Sequence, residues 1–178
     1  MARNFSKRLV IDASVARAAG ETDHPESKRC RDALQAVMDI CHRLVWTPEI
    51  QAEWERNESS FTRTWRTSME RKGKVDWLDH PEDEALRQQL RGLPVKERQR
   101  QIMEKDLRLV EAACQTDRIV LSLDEKARRQ FAEACQHLGS LKNVVWVNVK
   151  REEEDCEKWL KEGAKPEDLR QLQNYQTS

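Results

Sequence analysis

Glycine and proline are scarce: together they supply only ten of the 178 residues. A chain so poor in both reads as a folded, helix-rich domain and not as a disordered one. The five cysteines, Cys30, Cys41, Cys114, Cys135 and Cys156, are odd in number and dispersed, and none forms a CxxC pair. That spacing argues against a disulfide scaffold and against a compact zinc site. His24, His42, His80 and His137 are equally scattered, with no HExxH and no Cys/His cluster. No window approaches the roughly 18 uninterrupted apolar residues of a membrane span, and the opening MARNFSKRLVIDAS lacks a signal-like apolar stretch. The expectation is a cytoplasmic protein with no membrane partner. Internal repeats and low-complexity sequence are absent too.

An excess of one charge is also missing, since 32 basic residues face 32 acidic ones. The balance hides local polarity. Arg56 to Lys74 holds six basic and two acidic residues, and Arg87 to Arg108 holds seven against three. From Arg151 to Asp168 the sign reverses, with eight acids against four bases. Such runs most often are solvated helix faces, yet they also allow a phosphate backbone to be steered to one part of the surface. Charged residues make up 36% of the chain and hydrophobic ones 38%. At this length one α/β domain is expected, with little room for a second core.

Short apolar runs alternate with long stretches of helical spacing. RLVID at Arg8–Asp12 reads as a buried parallel strand opening into DASVARA. Lys28–Cys41 has helical periodicity, and Arg43–Trp46 is a second strand. Thr47-Pro48-Glu49 is an N-cap, a proline at the first helical position and an early acid. The helix it opens is expected to run to about Arg71 and to carry the apolar stripe Ile50, Trp54, Phe61, Trp65 and Met69. Lys74–Asp83 reads as a loop, Glu84–Leu90 as a short helix and Lys96–Cys114 as a long one. Asp117–Leu123 and Asn143–Val147 are strands around a helix at Asp124–His137. A charged helix near Glu152–Leu160 precedes a polar tail whose last residues, QLQNYQTS, either are ordered by docking or fray. The alternation predicts a mostly parallel central sheet covered on both faces, a three-layer α/β/α sandwich. In this plan residues 1–150 form the main body, and 151–178 are a charged helix and tail of the same domain.

Ligands in such sheets sit beyond the carboxyl ends of the strands, and two acids fall there. Asp12 follows Leu9-Val10-Ile11 and Asp124 follows Ile119–Leu123. Each is either a helix N-cap or a carboxylate that must find donors or a cation. Ser14 is a candidate hydroxyl partner for Asp12, and Ser122 is a supporting polar residue that interrupts its strand and is satisfied by neighbouring backbone. Asp106 is placed in line with Ile102, Leu109, Val110 and Ala113, an acid on an otherwise apolar helical face. The alternative for it is a boundary position or an ion pair with an arginine. Glu53, in a Glu-rich stretch beside Trp54, carries little signal by itself. Converging carboxylates repel each other, and a hard divalent cation such as Mg²⁺ or Mn²⁺, as one ion or two, relieves that repulsion. Such a site activates water and stabilises charge on a phosphoryl oxygen. Acids without a nearby nucleophile triad suit phosphodiester hydrolysis better than acyl transfer.

At these residues the chain resembles the PIN family of metal-dependent ribonucleases. RLVIDASVARA is similar to the family's first strand and acid, with Asp12 as the acid and Ser14 as the small polar residue after it. TPEIQAEWERN resembles the segment bearing the family's glutamate, placed at Glu53. KDLRLVEAACQTDRIVLSLDEKARRQF resembles the stretch with the third acid at Asp106 and the fourth at Asp124. Ser122 stands where the family often has a hydroxyl residue. Glu125, next to the fourth acid, is left out of the set. The resemblance runs from about Arg8 to Val147 and lies in the order of the segments. It implies a PIN-like fold and an endoribonuclease using Mg²⁺ or Mn²⁺ held by Asp12, Glu53, Asp106 and Asp124. It further implies an RNA substrate, homodimers in many members, and an antitoxin or other regulatory protein as partner. Glu58–Pro94 is longer and richer in Trp and Arg than in the smallest toxins of the family. Arg56, Arg63 and Arg66 are the candidates there for holding phosphate, while the Trp54/Phe61/Trp65 stripe is read as core.

Two other strand-end-aspartate chemistries fit less well. A haloacid-dehalogenase-like phosphatase needs an acid where Ser14 stands, and a response-regulator receiver needs an acidic pair and a lysine that are not found. The non-enzymatic alternative is a PIN-like platform without catalysis that binds RNA or protein.

Overall fold

A computed structural model describes residues 6–176. The chain runs β1 (Arg8–Ile11), α1 (Ala13–Ala18), α2 (Pro25–Asp39), β2 (Arg43–Trp46), α3 (Pro48–Asn57), α4 (Ser60–Arg71) and β3 (Val75–Trp77). It continues through α5 (Glu84–Arg91), α6 (Glu97–Cys114), β4 (Ile119–Ser122), α7 (Glu125–Ala134), β5 (Val145–Asn148) and α8 (Cys156–Lys161). All five strands are parallel, in the order β3-β2-β1-β4-β5. Helices cover both faces, so the fold is the expected α/β/α sandwich. Parallel strands buried on both sides must be apolar throughout, and Leu9, Val10, Ile11, Val120, Leu121, Val145 and Val147 are all inaccessible to solvent. No helix of the described residues is long and apolar enough to cross a membrane.

Two elements depart from the sequence expectation. The long helix after Thr47 is two helices, because Ser59 restarts the chain. Its hydroxyl accepts the Thr62 N–H at 3.1 Å, and Thr62 Oγ1 donates to Ala16 O at 2.7 Å. The Glu58 carboxylate at the break is enclosed by Arg66 and Arg63. The segment expected as a loop at Lys74–Asp83 contains β3. Three residues with an aspartate in the middle show no strand pattern in sequence. Pairing with β2 and the contact of Asp76 with Arg43 hold them on the sheet.

Thr47 caps α3 as expected, its side chain accepting the Ile50 N–H at 3.2 Å. Trp54 then fastens α3 to the sheet: its indole N–H donates to Ile11 O at 2.8 Å, one residue before Asp12. Trp65 Nε1 donates to Leu34 O at 2.7 Å, so both tryptophans of the stripe are core residues. The charged segment near Glu152 is a 3₁₀ turn, Glu152–Glu154, followed by α8, which packs on α2. The tail docks. Gln171 bridges to Val145, Leu172 is buried, and Tyr175 lies against Arg128 at 4.7 Å from ring centroid to guanidinium.

Candidate functional site

The strand order reverses direction between β1 and β4. From β1 the chain builds outward through β2 to β3, then returns to add β4 and β5 on the other side. Helices leaving neighbouring strands toward opposite faces open a crevice at such a switch point, beyond the carboxyl ends of the strands. Asp12 leaves β1 there, and Ser122 and Asp124 leave β4.

A hydrogen-bond network spans that crevice. Ser14 Oγ donates to Asp12 Oδ2 at 2.5 Å, and Ser122 Oγ donates to the same oxygen at 2.9 Å. Each hydroxyl is oriented by a backbone N–H from the exit of β4. Leu123 N donates to Ser14 Oγ at 3.1 Å and Asp124 N to Ser122 Oγ at 3.0 Å. Asp12 stands at the N-cap position of α1 but makes no side-chain cap, so capping does not account for it. Asp124 does cap α7, its Oδ1 accepting the Ala127 N–H at 2.9 Å. Among the described residues, Asp12 Oδ1 and Asp124 Oδ2 receive no hydrogen bond.

Asp106 reaches the same place from α6, which packs on both β1 and β4. It is 4% exposed, and no described residue donates a hydrogen bond to its carboxylate. Burial first, and then the charges of Asp12 and Asp124, push its pKa up to about 7; Lys105 and Arg108 oppose the rise. A second acid of α6 provides the contrast. Glu111 is equally buried, yet Arg87 grips it at 2.6 and 3.0 Å and the Asp83 N–H adds a third bond. Glu111 is a satisfied core acid, whereas Asp106 faces other carboxylates without a donor.

Glu53 is placed differently. It lies on α3, paired with the guanidinium of Arg108 from α6. Arg108 Nη1 is also 4.0 Å from Asp106 Oδ1. Arg108 was not singled out in the sequence. It lies two residues after Asp106, off the helical row used to find that acid, and its partner is 55 residues away. It also lines a groove of about 280 Å³ together with Arg87, Arg91, Lys105, Glu49 and Glu104.

The three phosphate candidates divide. Arg66 is held by Glu58 at 2.8 Å and Glu70 at 3.1 Å, and lies 5.7 Å from the centre of the Trp46 ring, a structural role. Arg63 is exposed, with a long contact of 3.4 Å to Glu58, and Arg56 is exposed with no ion pair among the described residues. Glu125 points away to Asn148, Arg151 and Tyr175.

Among the described residues no group of three or more His, Cys, Asp or Glu side chains that could hold a metal ion is found. Asp12, Asp106 and Asp124 each keep an oxygen without a donor, and Mg²⁺ retains several waters while binding one or two carboxylates directly. Glu53 does not belong to that set while Arg108 holds it. Comparison of the chain with protein-family models, with curated proteins and with solved structures finds no match.

Proposed function

We propose that this protein is a divalent-metal-dependent endoribonuclease of PIN-like type, hydrolysing RNA phosphodiester bonds at the β1/β4 crevice. The observation that carries the reading is Asp106, a buried carboxylate without a donor that faces Asp12 and Asp124. Like charges gathered in a poorly solvated place raise the free energy of the site, and a divalent cation relieves it. Hard oxygen donors favour Mg²⁺ or Mn²⁺ over softer metals.

Asp12, Asp106 and Asp124 would hold the ion, directly or through its waters. Ser14 and Ser122 fix the orientation of Asp12 and keep one of its oxygens turned to the hydroxyls. Asp124 is held by its cap to α7, which leaves its second oxygen for the ion. The bound cation supplies an activated water and stabilises charge on the scissile phosphate. Exposed Arg56 and Arg63 are the remaining contacts proposed for RNA phosphates. RNA as substrate rests on the family resemblance of the segments that bear the acids.

The test compares wild type with Asp12→Asn and Asp124→Asn on a mixed RNA pool in Mg²⁺, Mn²⁺ or EDTA. Cleavage that needs metal and is lost in both folded variants is the expected result. Cleavage unchanged in both variants sinks the site assignment. A second reading, a PIN-like binding module without catalysis, is favoured by the Glu53–Arg108 pair, which withholds one acid from the set. RNA binding with no cleavage under any metal condition would establish that reading instead.

A further inference from the structure

Most buried or half-buried arginines that close ion pairs among the described residues tie off acids outside the Asp12/Asp106/Asp124 group. Arg66 holds Glu58, Arg87 holds Glu111 and Arg128 holds Glu154. Arg108 is different. Its side chain is only 17% exposed and stands between Glu53 of α3 and Asp106 of α6. One partner belongs to the acids of the crevice and lacks any hydrogen bond; the other is the glutamate expected among its metal ligands. A third contact, to the carbonyl of Lys105, anchors the guanidinium to its own helix.

We infer that Arg108 is the internal counter-cation of the carboxylate site: it holds Glu53 away from Asp12, Asp106 and Asp124 until a divalent cation takes its place. The inference rests on the metal-binding reading above. A guanidinium spreads one charge over a planar fork and gives part of the neutralisation that a divalent ion gives in full. Ion binding and the Glu53–Arg108 pair then compete for the same carboxylate, and each weakens the other by the same factor. Removing Arg108 frees Glu53 and tightens the site for metal. Simple relief of charge repulsion also tightens it, but that effect does not depend on Glu53, so the two causes separate in a double-mutant cycle.

The experiment measures Mn²⁺ binding by titration calorimetry to the full chain and to R108Q, E53Q and E53Q/R108Q. Circular dichroism checks the fold of each. If R108Q does not fold, R108M, which keeps the apolar stem, replaces it. R108Q is expected to bind Mn²⁺ about tenfold more tightly than wild type, within the usual range of coupling between sites. In the E53Q background the same substitution should gain little. An equal gain in both backgrounds overturns the inference and leaves charge repulsion as the cause. Equal affinity of wild type and R108Q, with binding lost in Asp12→Asn, overturns it while keeping the metal site. No Mn²⁺ binding in any variant overturns the metal reading and this inference together.

Discussion

Asp106→Asn is expected to stabilise the metal-free protein at alkaline pH, although it removes a proposed ligand. The native carboxyl is pushed from an ordinary value of 3.8 up to about 7, by burial first and by Asp12 and Asp124 after it. A raised carboxyl favours the folded state in its protonated form. Its cost is therefore absent below the unfolded value, grows as pH rises from about 4 to 7, and is constant above that. At ~1.4 kcal/mol per pH unit the ceiling is ~4 kcal/mol, and local relaxation brings the expectation to about 2 kcal/mol. For a chain of this length that corresponds to ~4–8 °C in Tm. The assay is thermal and urea unfolding of wild type and Asp106→Asn in EDTA at pH 4.5 and pH 8. The variant should be more stable at pH 8 and nearly equal at pH 4.5. Adding Mg²⁺ at pH 8 should raise the wild type and leave the variant unchanged. A variant less stable than wild type at pH 8, or a difference independent of pH, refutes the reasoning.

Asp12→Asn and Asp124→Asn should each abolish metal-dependent RNA cleavage, but only the latter touches a helix cap. Asparagine retains the capping oxygen, so both should melt close to wild type. Thr47→Ala removes the cap of α3 and should cost about 1 kcal/mol, read by chemical denaturation. Leu172→Ala should release the docked tail, since Leu172 is 1% exposed and carries the contact; limited proteolysis should then cut near residue 170 while the rest stays intact. Acidification below about pH 6.5 should destabilise the fold through His42. Burial first lowers its pKa and keeps the ring neutral between Lys7 N and Leu160 O, so the unfolded chain takes up the proton. His42→Gln should flatten that part of the stability profile.

Much of the architecture was legible because its signals are local. Apolar runs of four residues between helical stretches identify buried parallel strands at Arg8, Arg43, Ile119 and Val145 whatever surrounds them. Thr47-Pro48 marks a helix start by hydrogen bonding within one turn. Where the deciding contact was distant, the sequence was silent. The helix after Thr47 breaks at Ser59, whose backbone N–H donates to Ala16 O of α1, and β3 is a strand only because β2 pairs with it.

The same boundary runs through the candidate site. Residue spacing alone places Asp12 and Asp124 at strand exits and makes Asp106 interrupt an apolar helical row. Each of these is a matter of spacing along one element. The reversal of strand order between β1 and β4, which brings Ser14 and Ser122 to one oxygen of Asp12, is visible in the folded chain and not in its spacing. The fold also separates Asp106, which lacks a donor, from Glu111, which Arg87 satisfies. Glu53 shows the division most directly. Its position in the chain suggested a ligand, while a guanidinium 55 residues away holds its carboxylate, and charge pairing across helices leaves no periodic trace in a sequence.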